Sequence, residues 1–335
     1  MDPRTAVDTR IAFFITSYGS GDQLVRLVEL LRRSDSSAEI VVHHDTFANE
    51  LSPRVLEHLE GVHILTPPGP IVWGDMTLEA ARWRVFRWIE TNLDVDWVCL
   101  LSEQDYPVAP LARLRGRLAA GGVDVFMGAA PVAELDPDQR RECDKRYRYQ
   151  YWSLPSLGIE RRLPARARAV TQYVRARLFD VVTLSRVVRF YRIPGAMSIP
   201  TRIGIRARRT PFSADFPCWF NDCWFSLSRK ALSHLISHLD SHPELARYYA
   251  RTVIPLESAT ATILCNDPEL VVERESLHVI RWSDRTSGRP DVFTYEDLDY
   301  LRGSGAIFAR KFGTTDVALL DALDEIVVPQ PEETT

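Results

Sequence analysis

Zinc-binding cysteine pairs, long apolar runs and glycine-rich phosphate loops are all missing from this sequence. Its five cysteines among 335 residues include no CxxC pair, which argues for reduced thiols and against a disulfide framework or a zinc site. No apolar run approaches the roughly 20 residues needed to span a bilayer. Residues 1–10 also lack the charged-then-apolar pattern of a secretory signal. We therefore expect a soluble cytoplasmic protein.

Several common catalytic motifs are missing as well. The string YGSGDQ, residues 18–23, matches neither the GxxxxGKS/T phosphate loop nor the GxGxxG dinucleotide fingerprint. No HExxH or GxSxG string occurs. P-loop enzymes, dinucleotide-dependent enzymes, zinc peptidases and α/β-hydrolases are therefore not indicated.

Short apolar runs and helical patterns alternate about every 25 residues in the first part of the chain. This alternation predicts an α/β fold with a mostly parallel central sheet flanked by helices. The predicted strands are 11–17, 39–43, 62–65, 97–101 and 123–128, and the predicted helices are 23–33, 51–59, 76–91 and 111–119. Later we expect a strand pair over 219–228, a strand over 279–282, and helices over 230–239, 243–250, 295–303 and from Pro255.

The stretch WVCLLSEQDYP, residues 97–107, runs from an apolar strand into a polar corner. Ligands of such sheets bind beyond the carboxyl ends of the strands, so Asp105 is a candidate site residue. An aspartate that caps the following helix fits the pattern equally well.

Other polar residues are expected at the same edge of the sheet. Asp45 follows the second strand, Trp73-Gly74 precede a helix, and Glu257 lies in the first turn of another helix. Each has a plain structural alternative: a helix cap for Asp45, a core position for Trp73, and a partner of the helix dipole for Glu257. Two late cations follow, Arg289 and Lys311.

Six strings occur in the order VVHHD, VWG, LLSEQDYP, CWFSLSRKAL, PLESATATIL and IFARKF. In order and spacing they resemble the core-2/I-branching β-1,6-N-acetylglucosaminyltransferase family, which includes the peptide O-xylosyltransferases; the chain looks like a soluble, bacterial-type member. The resemblance covers about residues 11–313 apart from 153–212, and LLSEQDYP with IFARKF are its most specific strings. It implies a GT-A fold and an inverting, nucleotide-sugar-dependent glycosyltransferase that works without a metal.

The resemblance also implies a domain organisation. One GT-A-like domain is expected over residues 11–313, with a nucleotide-binding half over about 11–130 and an acceptor and catalytic half over about 131–313. A basic helical insertion is expected over 155–212, and a C-terminal helix and tail over 314–335.

Each residue that matches a family motif takes an implied role. Glu257 matches the catalytic base, which deprotonates the acceptor hydroxyl in a single in-line displacement. Lys311 matches a lysine that stabilises the departing diphosphate together with an upstream arginine. The other donor-side candidates are Asp45, Trp73 and Gly74 at the nucleoside, Asp105 at the polar corner, and Arg289 as the upstream arginine, with Arg281 as the second choice.

Acceptor-binding candidates come from two aromatic stretches. Basic residues of CDKRYRYQYW, residues 143–152, fall where relatives place cations near the acceptor and phosphates; a solvated basic strand is the alternative. The candidates are Lys145, Arg146, Arg148, Trp152, Trp219 and Trp224.

Departures from the family pattern bear on metal use. Glu103 replaces a glycine of L-S-G-Q-D-Y-P, and a carboxylate added near a diphosphate either turns away or helps to bind a cation. Leu256 replaces the aspartate of the family's P-D-E turn. Asp94-Val95-Asp96 resembles a DxD metal motif but precedes its strand, so we interpret it as a chance match. We expect no cofactor and no divalent metal, the UDP-sugar being a substrate.

Residues 161–209 contain thirteen arginines, no lysine and one acid, Asp180. The segment carries about +12, whereas the whole chain has a net charge of −4. We expect one or two basic amphipathic helices that bind an anionic membrane surface or an acidic glycan. A solvated helical face is the alternative. Nucleic acid is not expected, because no binding module accompanies the charge.

The resemblance implies transfer of a sugar, N-acetylglucosamine or xylose, from a UDP-sugar to a hydroxyl of a glycan, glycolipid or other acceptor. Two alternatives stay open. One is a metal-dependent GT-A glycosyltransferase with a different nucleotide-sugar donor. The other is a non-catalytic protein that binds sugar nucleotides or glycans.

Overall fold

A computed structural model describes residues 9–19, 21–51, 56, 59–153, 187–191, 202–284 and 289–328. The strands in these ranges are β1 (Ile11–Ser17), β2 (Glu39–His44), β3 (Val62–Leu65), β4 (Trp97–Ser102), β5 (Asp105–Pro107), β6 (Val125–Pro131), β7 (Tyr149–Ser153), β8 (Val188–Tyr191), β9 (Arg202–Arg206), β10 (Trp219–Ser228), β11 (Val272–Glu273), β12 (His278–Ile280) and β13 (Phe308–Arg310). The α-helices are α1 (Asp22–Ser34), α2 (Met76–Asn92), α3 (Leu111–Ala119), α4 (Pro137–Tyr147), α5 (Arg229–Ser241), α6 (Pro243–Tyr249), α7 (Ala259–Cys265), α8 (Leu298–Gly303) and α9 (Val317–Val327).

The central feature is a seven-stranded sheet in the order β11-β6-β10-β4-β1-β2-β3. Strands β4, β1, β2 and β3 pair in parallel, and β11 pairs in parallel with β6. Strand β10 lies antiparallel between β4 and β6. The predicted α/β class with a mostly parallel sheet is therefore confirmed, with one antiparallel strand that periodicity did not reveal.

Both faces of the sheet are covered, which explains why its strands are apolar in nearly every position. Along β1, Phe13 and Ile15 belong to one core with α1, α3 and α9, whereas Ala12 and Phe14 belong to a second core with α2, α5 and α7. Successive side chains of a strand point to opposite faces, so the continuous run IAFFI serves both cores.

Two smaller sheets extend the central one toward the site. Strands β12, β13 and β5 form the first, in which Arg310 is the register partner of Asp105. Strands β7, β9 and β8 form the second, with β9 antiparallel to both of its neighbours. The first sheet thus brings the late IFARKF string against the polar corner after β4.

Three details differ from the sequence predictions. Residues 219–228 form one long strand with an irregularity between Asn221 and Phe225, not a strand pair. Pro255–Glu257 form a 3-10 turn that ends before α7 begins, so Glu257 precedes the helix instead of lying in its first turn. Residues 188–191 and 202–206 form strands, so at least these parts of the predicted basic helical insertion are wrong.

Parts of other predictions lie outside the described residues. These are most of the predicted helix over 51–59, the remainder of the basic insertion, and the tail beyond residue 328. The predicted C-terminal helix is confirmed as α9. Within the described ranges, none of the helices combines the length and the apolar character needed to cross a membrane.

Candidate active site

The carboxyl ends of three parallel strands meet at one edge of the central sheet. Thr16 of β1 is the register partner of Ser102 of β4, and Ser17 is the partner of His44 of β2. Because the polar residues directly follow these partners, the predicted clusters at 44–45 and 102–105 lie at the same edge, as expected for a ligand site of this fold.

Glu103, which stands where the family pattern has glycine, turns toward the loop after β1. Its carboxylate accepts hydrogen bonds from the Ser17 hydroxyl at 2.5 Å and from the backbone N–H groups of Gly19 at 2.9 Å and Tyr18 at 3.2 Å. A side chain at Gly19 would collide with this carboxylate, since a Cβ atom there would lie 2.7 Å from Oε1. These hydrogen bonds give Glu103 a role other than the two considered, since its carboxylate ties the loop after β1 to the polar corner.

A cation cluster lies beside this corner. Arg310 donates hydrogen bonds to two residues of the corner, the Ser102 hydroxyl and the Asp105 carboxylate, the latter at 2.8 Å. Asp105 is fully buried and also accepts from the backbone N–H of Ser102 at 2.6 Å. The corner therefore holds the Arg310 guanidinium in place. Asp105 acts on the site only indirectly, by positioning that arginine.

Lys311 completes the cation cluster with Arg310 and Arg289. Burial lowers the pKa of the Lys311 amine, and the nearby charges of Arg310 and Arg289 lower it further, while Glu103 opposes them. Three cations thus lie within electrostatic reach of one another, an arrangement that suits an anion with several charges. Arg281, the second candidate, pairs with Asp291 at 3.1 Å and Asp297 at 3.0 Å, whereas the charge of Arg289 acts on Lys311, so Arg289 is the better supported of the two.

The predicted nucleoside residues lie at this edge, with different exposures. Asp45 is buried and closes a turn by accepting from the backbone N–H of Phe47 at 3.1 Å. The Trp73 ring is 43% exposed, which leaves its surface accessible for stacking. The core position considered for Trp73 is therefore wrong.

Glu257 is carried by a tightly constrained turn. Ile254, the residue before the turn Pro255–Glu257, has φ 52°, a left-handed conformation that costs energy for a β-branched side chain. Two hydrogen bonds hold it there: its N–H donates to the carbonyl of Gly74 at 3.0 Å, and its carbonyl accepts from the Tyr147 hydroxyl at 3.0 Å. Gly74 has φ 73°, which explains the need for glycine in the VWG string. The Trp73-Gly74 turn and the Glu257 turn are thus one unit.

The Glu257 carboxylate forms an ion pair with Arg146 of α4. Arg146 also contacts Glu142 and the Tyr191 hydroxyl, which donates to Glu142 at 2.5 Å. Burial raises the pKa of the Glu257 carboxyl, and Arg146 opposes that rise. Since 21% of the Glu257 side-chain surface stays exposed, this carboxylate can accept a proton from a bound molecule.

The irregular part of β10 runs from Asn221 to Phe225. It lies between the Glu257 turn and the cation cluster. Cys223 has φ 75°, an unusual conformation for a residue other than glycine, and its N–H donates to the Asn221 side chain at 2.5 Å. Burial raises the pKa of Asp222 to about 7, and the charge of Glu257 contributes to this rise. The bulge therefore adds a second carboxyl group beside Glu257 that titrates near neutrality.

Trp224 connects the surroundings of Glu257 with the cation cluster. The guanidinium carbon of Arg310 lies 4.8 Å from the centre of the Trp224 ring. The adjacent Cys223 is close enough to Glu257 for that carboxylate to raise its thiol pKa. The Cys223–Trp224 segment of β10 thus connects the surroundings of Glu257 with Arg310, the neighbour of Lys311.

The remaining acceptor candidates occupy different environments. Lys145 pairs with Glu142 at 3.0 Å, and Arg148 pairs with Asp144 at 2.9 Å. Trp152 is 44% exposed with Arg251 near its ring, so it can stack on a sugar.

Trp219 and Trp224 are each 6% exposed, which does not fit the predicted contact with an acceptor. Trp219 is a core residue whose indole N–H donates to Asn266 at 3.1 Å. Trp224 is held among the cations of the site. For both rings the prediction of acceptor stacking needs correction.

The DxD-like string lies away from the site. Asp94 and Asp96 precede β4, so they lie at the amino end of the strand and not at its carboxyl end. Both form ion pairs with Arg10, the one with Asp96 at 2.9 Å. Among the described residues, no group of three or more histidine, cysteine or acidic side chains is arranged to hold a metal ion.

Sequence reasoning missed Asp222 and the pairing of Arg310 with Asp105. Both depend on contacts between segments far apart in the chain, and Asp222 also depends on the bulge. The arginine of the IFARKF string, Arg310, is the local signal that the sequence offers for this pairing.

Comparison with known proteins relates part of the chain to enzymes. Beta-glucuronosyltransferase GlcAT14A of Arabidopsis thaliana is 29% identical over 121 residues, which make up 35% of this chain and 27% of the relative. Beta-glucuronosyltransferase GlcAT14B of the same plant is 30% identical over 112 residues, 32% of this chain and 26% of the relative. The matched part of the chain is related to glycosyltransferases. It spans about a quarter of the length of these relatives, and their names do not single out the N-acetylglucosaminyltransferase branch.

No protein-family model matches the chain. Among solved structures, the glucosyl-3-phosphoglycerate synthase of Mycobacterium tuberculosis, in complex with Mn²⁺, UDP and phosphoglyceric acid, is 12% identical with a TM-score of 0.31, over 73% of this chain and 68% of the other. A mycobacterial protein is 16% identical with a TM-score of 0.28, over 37% of this chain and 42% of the other. Similarities this low carry no argument about this chain.

Proposed function

We propose that the chain is a GT-A-like inverting glycosyltransferase that moves a sugar from a UDP-sugar to an acceptor hydroxyl, with Glu257 as the general base. The observation that carries this proposal is the partly exposed Glu257 carboxylate, which the Cys223–Trp224 segment of β10 connects with Arg310 and the adjacent Lys311. The relationship of the matched segment to glycosyltransferases agrees with it.

The base side of the reaction follows from the Glu257 environment. Glu257 takes the proton of the acceptor hydroxyl while that oxygen attacks the anomeric carbon and the bond to the diphosphate breaks. A base is most effective when its pKa lies near the working pH, and burial moves the Glu257 pKa in that direction. Arg146 opposes this rise and fixes the position of the carboxylate.

The leaving-group side depends on fixed cations. Negative charge develops on the departing UDP, and preorganised donors aimed at such charge stabilise it strongly in a site with little water. Arg310, anchored on Asp105, and Lys311 supply this charge, and Arg289 adds to it. We therefore propose turnover without a divalent ion, and expect activity to persist in the presence of EDTA. Loss of all turnover with EDTA would favour the metal-dependent alternative.

Two classes of donor sugar have support. The motif strings favour N-acetylglucosamine or xylose, whereas the curated relatives are glucuronosyltransferases. Trp73, which is exposed next to the Glu257 turn, is proposed to stack on the uracil base, and Trp152 on an acceptor sugar.

Contact of residues 161–209 with an anionic membrane stays a prediction. Arg202, one of the arginines in this segment, faces inward, where it donates to Asp75 at 2.8 Å and to the carbonyl of Thr252. Flotation with anionic and neutral vesicles would test the rest of the segment, and equal recovery with both would remove the membrane proposal.

The direct test of function is a binding screen followed by a turnover assay. UDP and a panel of UDP-sugars are titrated into wild-type protein and Glu257→Gln, with exposed Glu244→Gln as the matched control. We expect UDP to bind all three, and UDP release from the preferred donor to be lost in Glu257→Gln alone. A wild-type protein that binds no uridine nucleotide would contradict the proposal, and binding without turnover would favour the non-catalytic alternative.

A further inference from the structure

His278 of β12 has a buried imidazole next to the cation cluster. Its side chain is 2% exposed, and its Nε2 atom has no hydrogen-bond partner among the described residues. Burial, assisted by the charge of Arg310 and opposed by that of Asp105, lowers the pKa of this imidazole to about 4, so the ring is neutral at neutral pH. A buried polar atom without a partner costs stability, and a histidine at this position therefore calls for an explanation.

The His278 ring packs between two aromatic rings. Its centre lies 5.5 Å from that of Trp224, with 27° between the planes, and 5.1 Å from that of Phe308, with 29° between the planes. His278 and Phe308 are register partners, and Arg310 follows Phe308 by two residues, so all three side chains leave the small sheet on one face. The guanidinium carbon of Arg310 lies 4.8 Å from the centre of the Trp224 ring. His278 is therefore stacked on one of the two groups that hold Arg310.

Asp105, the other group that holds Arg310, is also a neighbour of His278. The Nε2 atom lies 4.0 Å from Oδ2 of Asp105, about 1 Å beyond hydrogen-bonding distance. That oxygen accepts from the backbone N–H of Ser102, whereas Oδ1 accepts from Arg310. Because a carboxylate oxygen can accept two hydrogen bonds, Oδ2 keeps one position for the imidazole. The charge of Asp105 favours the tautomer with hydrogen on Nε2, so a small displacement lets His278 donate to it.

Binding of a diphosphate changes what Asp105 needs from its neighbours. This carboxylate is fully buried, so the groups around it must compensate its charge. When Arg310 shares its N–H groups with phosphate oxygens, it compensates Asp105 less than in the free protein. A hydrogen bond from His278 replaces what is lost. Since the imidazole is neutral, it does so without competing with Arg310 for the carboxylate as a second cation would.

We propose that His278 is a positioning residue: its Nε2–H group donates to Asp105 while Arg310 binds the diphosphate of the donor. The inference rests on the proposed function, which assigns the diphosphate to Arg310. His278 acts through Asp105 and Arg310 and does not itself touch the substrate. The rings of Trp224 and Phe308 on either side keep the imidazole in the orientation that this hydrogen bond requires.

The test compares UDP affinity with stability in His278→Phe, which keeps a flat ring in the stack but has no donor. By calorimetric titration we expect UDP to bind about fivefold more weakly than to wild type, the scale of one hydrogen bond. In denaturant titration the free energy of unfolding should equal the wild-type value or exceed it, because the unpaired buried nitrogen is gone. A purely structural role would instead lower stability and affinity together.

The outcomes separate this inference from the proposed function. If folded His278→Phe binds UDP within about twofold of wild type, or loses stability along with affinity, the inference is overturned and the proposed function stands. If the wild-type protein binds no UDP, the proposed function is contradicted and the role of His278 falls with it.

His63→Phe is the matched control. His63 also stacks on a tryptophan, with 5.1 Å between its ring centre and that of Trp88, and its Nε2 lies 2.8 Å from the Glu39 carboxylate. It belongs to β3, the edge strand of the central sheet. We expect this variant to bind UDP like wild type. A loss equal to that in His278→Phe would show that the effect is not specific to His278 and would overturn the inference.

A double-mutant cycle shows whether His278 acts through Arg310. In Arg310→Gln, the added His278→Phe substitution should leave the UDP affinity unchanged, whereas fully additive losses would make the two residues independent and overturn the inference.

His278→Gln decides the question if His278→Phe fails to fold. Its side-chain amide can place an N–H group near the position of Nε2, so we expect UDP to bind within about twofold of wild type. A loss as large as that in Arg310→Gln would assign the effect to the ring instead of the donor and overturn the role of Nε2.

Discussion

Two carboxylate–arginine pairs carry the candidate site, and they differ in which member is accessible. In the pair of Asp105 and Arg310, the carboxylate is fully buried and the arginine side chain is 18% exposed. In the pair of Glu257 and Arg146, the carboxylate keeps 21% of its surface exposed. Asp105 is also bound by a backbone N–H, whereas the described contact of Glu257 is the arginine alone.

The difference indicates which member of each pair acts on the substrate. A carboxylate that is buried, hydrogen-bonded to the backbone and paired with arginine serves as an anchor, so the cation is the group available to a ligand. A carboxylate with an exposed face and a raised pKa is itself available, so its arginine is the support. Under the proposed function, the same two residue types would serve the leaving group in one pair and proton acceptance in the other.

Removing the base should have the largest effect on turnover. In Glu257→Gln the side chain keeps its shape but cannot accept the proton, so we expect the rate of UDP release to fall by about 10²- to 10⁴-fold. The affinity for UDP should stay within about twofold. The rates are measured at saturating donor; a variant with more than half of the wild-type rate would remove the base assignment.

Loss of a leaving-group cation should have the next largest effect. Lys311→Gln removes a positive charge that stabilises the negative charge developing on the diphosphate in the transition state. We expect kcat to fall by roughly 10²- to 10³-fold. Exposed Arg302→Gln of α8 is the control and should be unaffected. Equal kcat values for Lys311→Gln and the control would show that Lys311 lies outside the reaction.

The support of the base should appear in the pH dependence. Arg146 lowers the pKa of Glu257, which burial has raised, so Arg146→Met should raise that pKa further. Because the base works only when ionised, the fall of kcat/KM with decreasing pH should begin at a higher pH in the variant. Profiles are compared between folded proteins of equal melting behaviour. An unchanged acid limb would mean that another group sets it.

The smallest effect on turnover is expected at Tyr191, which contacts Arg146, the partner of Glu257. Tyr191→Phe removes the hydroxyl that donates to Glu142 and accepts from Arg146. Denaturant titration should show a loss of about 1 kcal/mol in the free energy of unfolding, the usual value of a buried hydrogen bond. Turnover should change less than in Arg146→Met. A larger loss of turnover than of stability would give Tyr191 a role in the site itself.

The sequence predicted the sheet edge and much of the site, because both depend on local patterns. The run Trp97 to Leu101 is apolar since β4 is buried on both faces, and the polar corner follows from the end of the strand. The resemblance of their strings to one family is what predicts Glu257 and Lys311 in a common site. The register that brings Arg310 opposite Asp105 joins residues 205 positions apart and leaves no local trace.

The errors have physical causes too. Asn221-Asp222-Cys223 interrupts an apolar run with polar residues, which resembles a turn between two strands; in the structure the chain continues through a bulge with a left-handed Cys223. Val188 and Arg189 fit a helical face, but pairing with β9 makes them part of a strand. The burial of Arg82 in α2 leaves no sequence signal, since burial is a tertiary property.

The most direct test of the contrast between the two pairs is calorimetric titration of UDP into Arg310→Gln and Arg146→Gln. If Arg310 holds the diphosphate and Arg146 supports the base, the first variant should bind UDP at least on the order of tenfold more weakly than wild type, and the second should stay within about twofold. Equal weakening in both variants, or a larger loss in Arg146→Gln, would contradict the account.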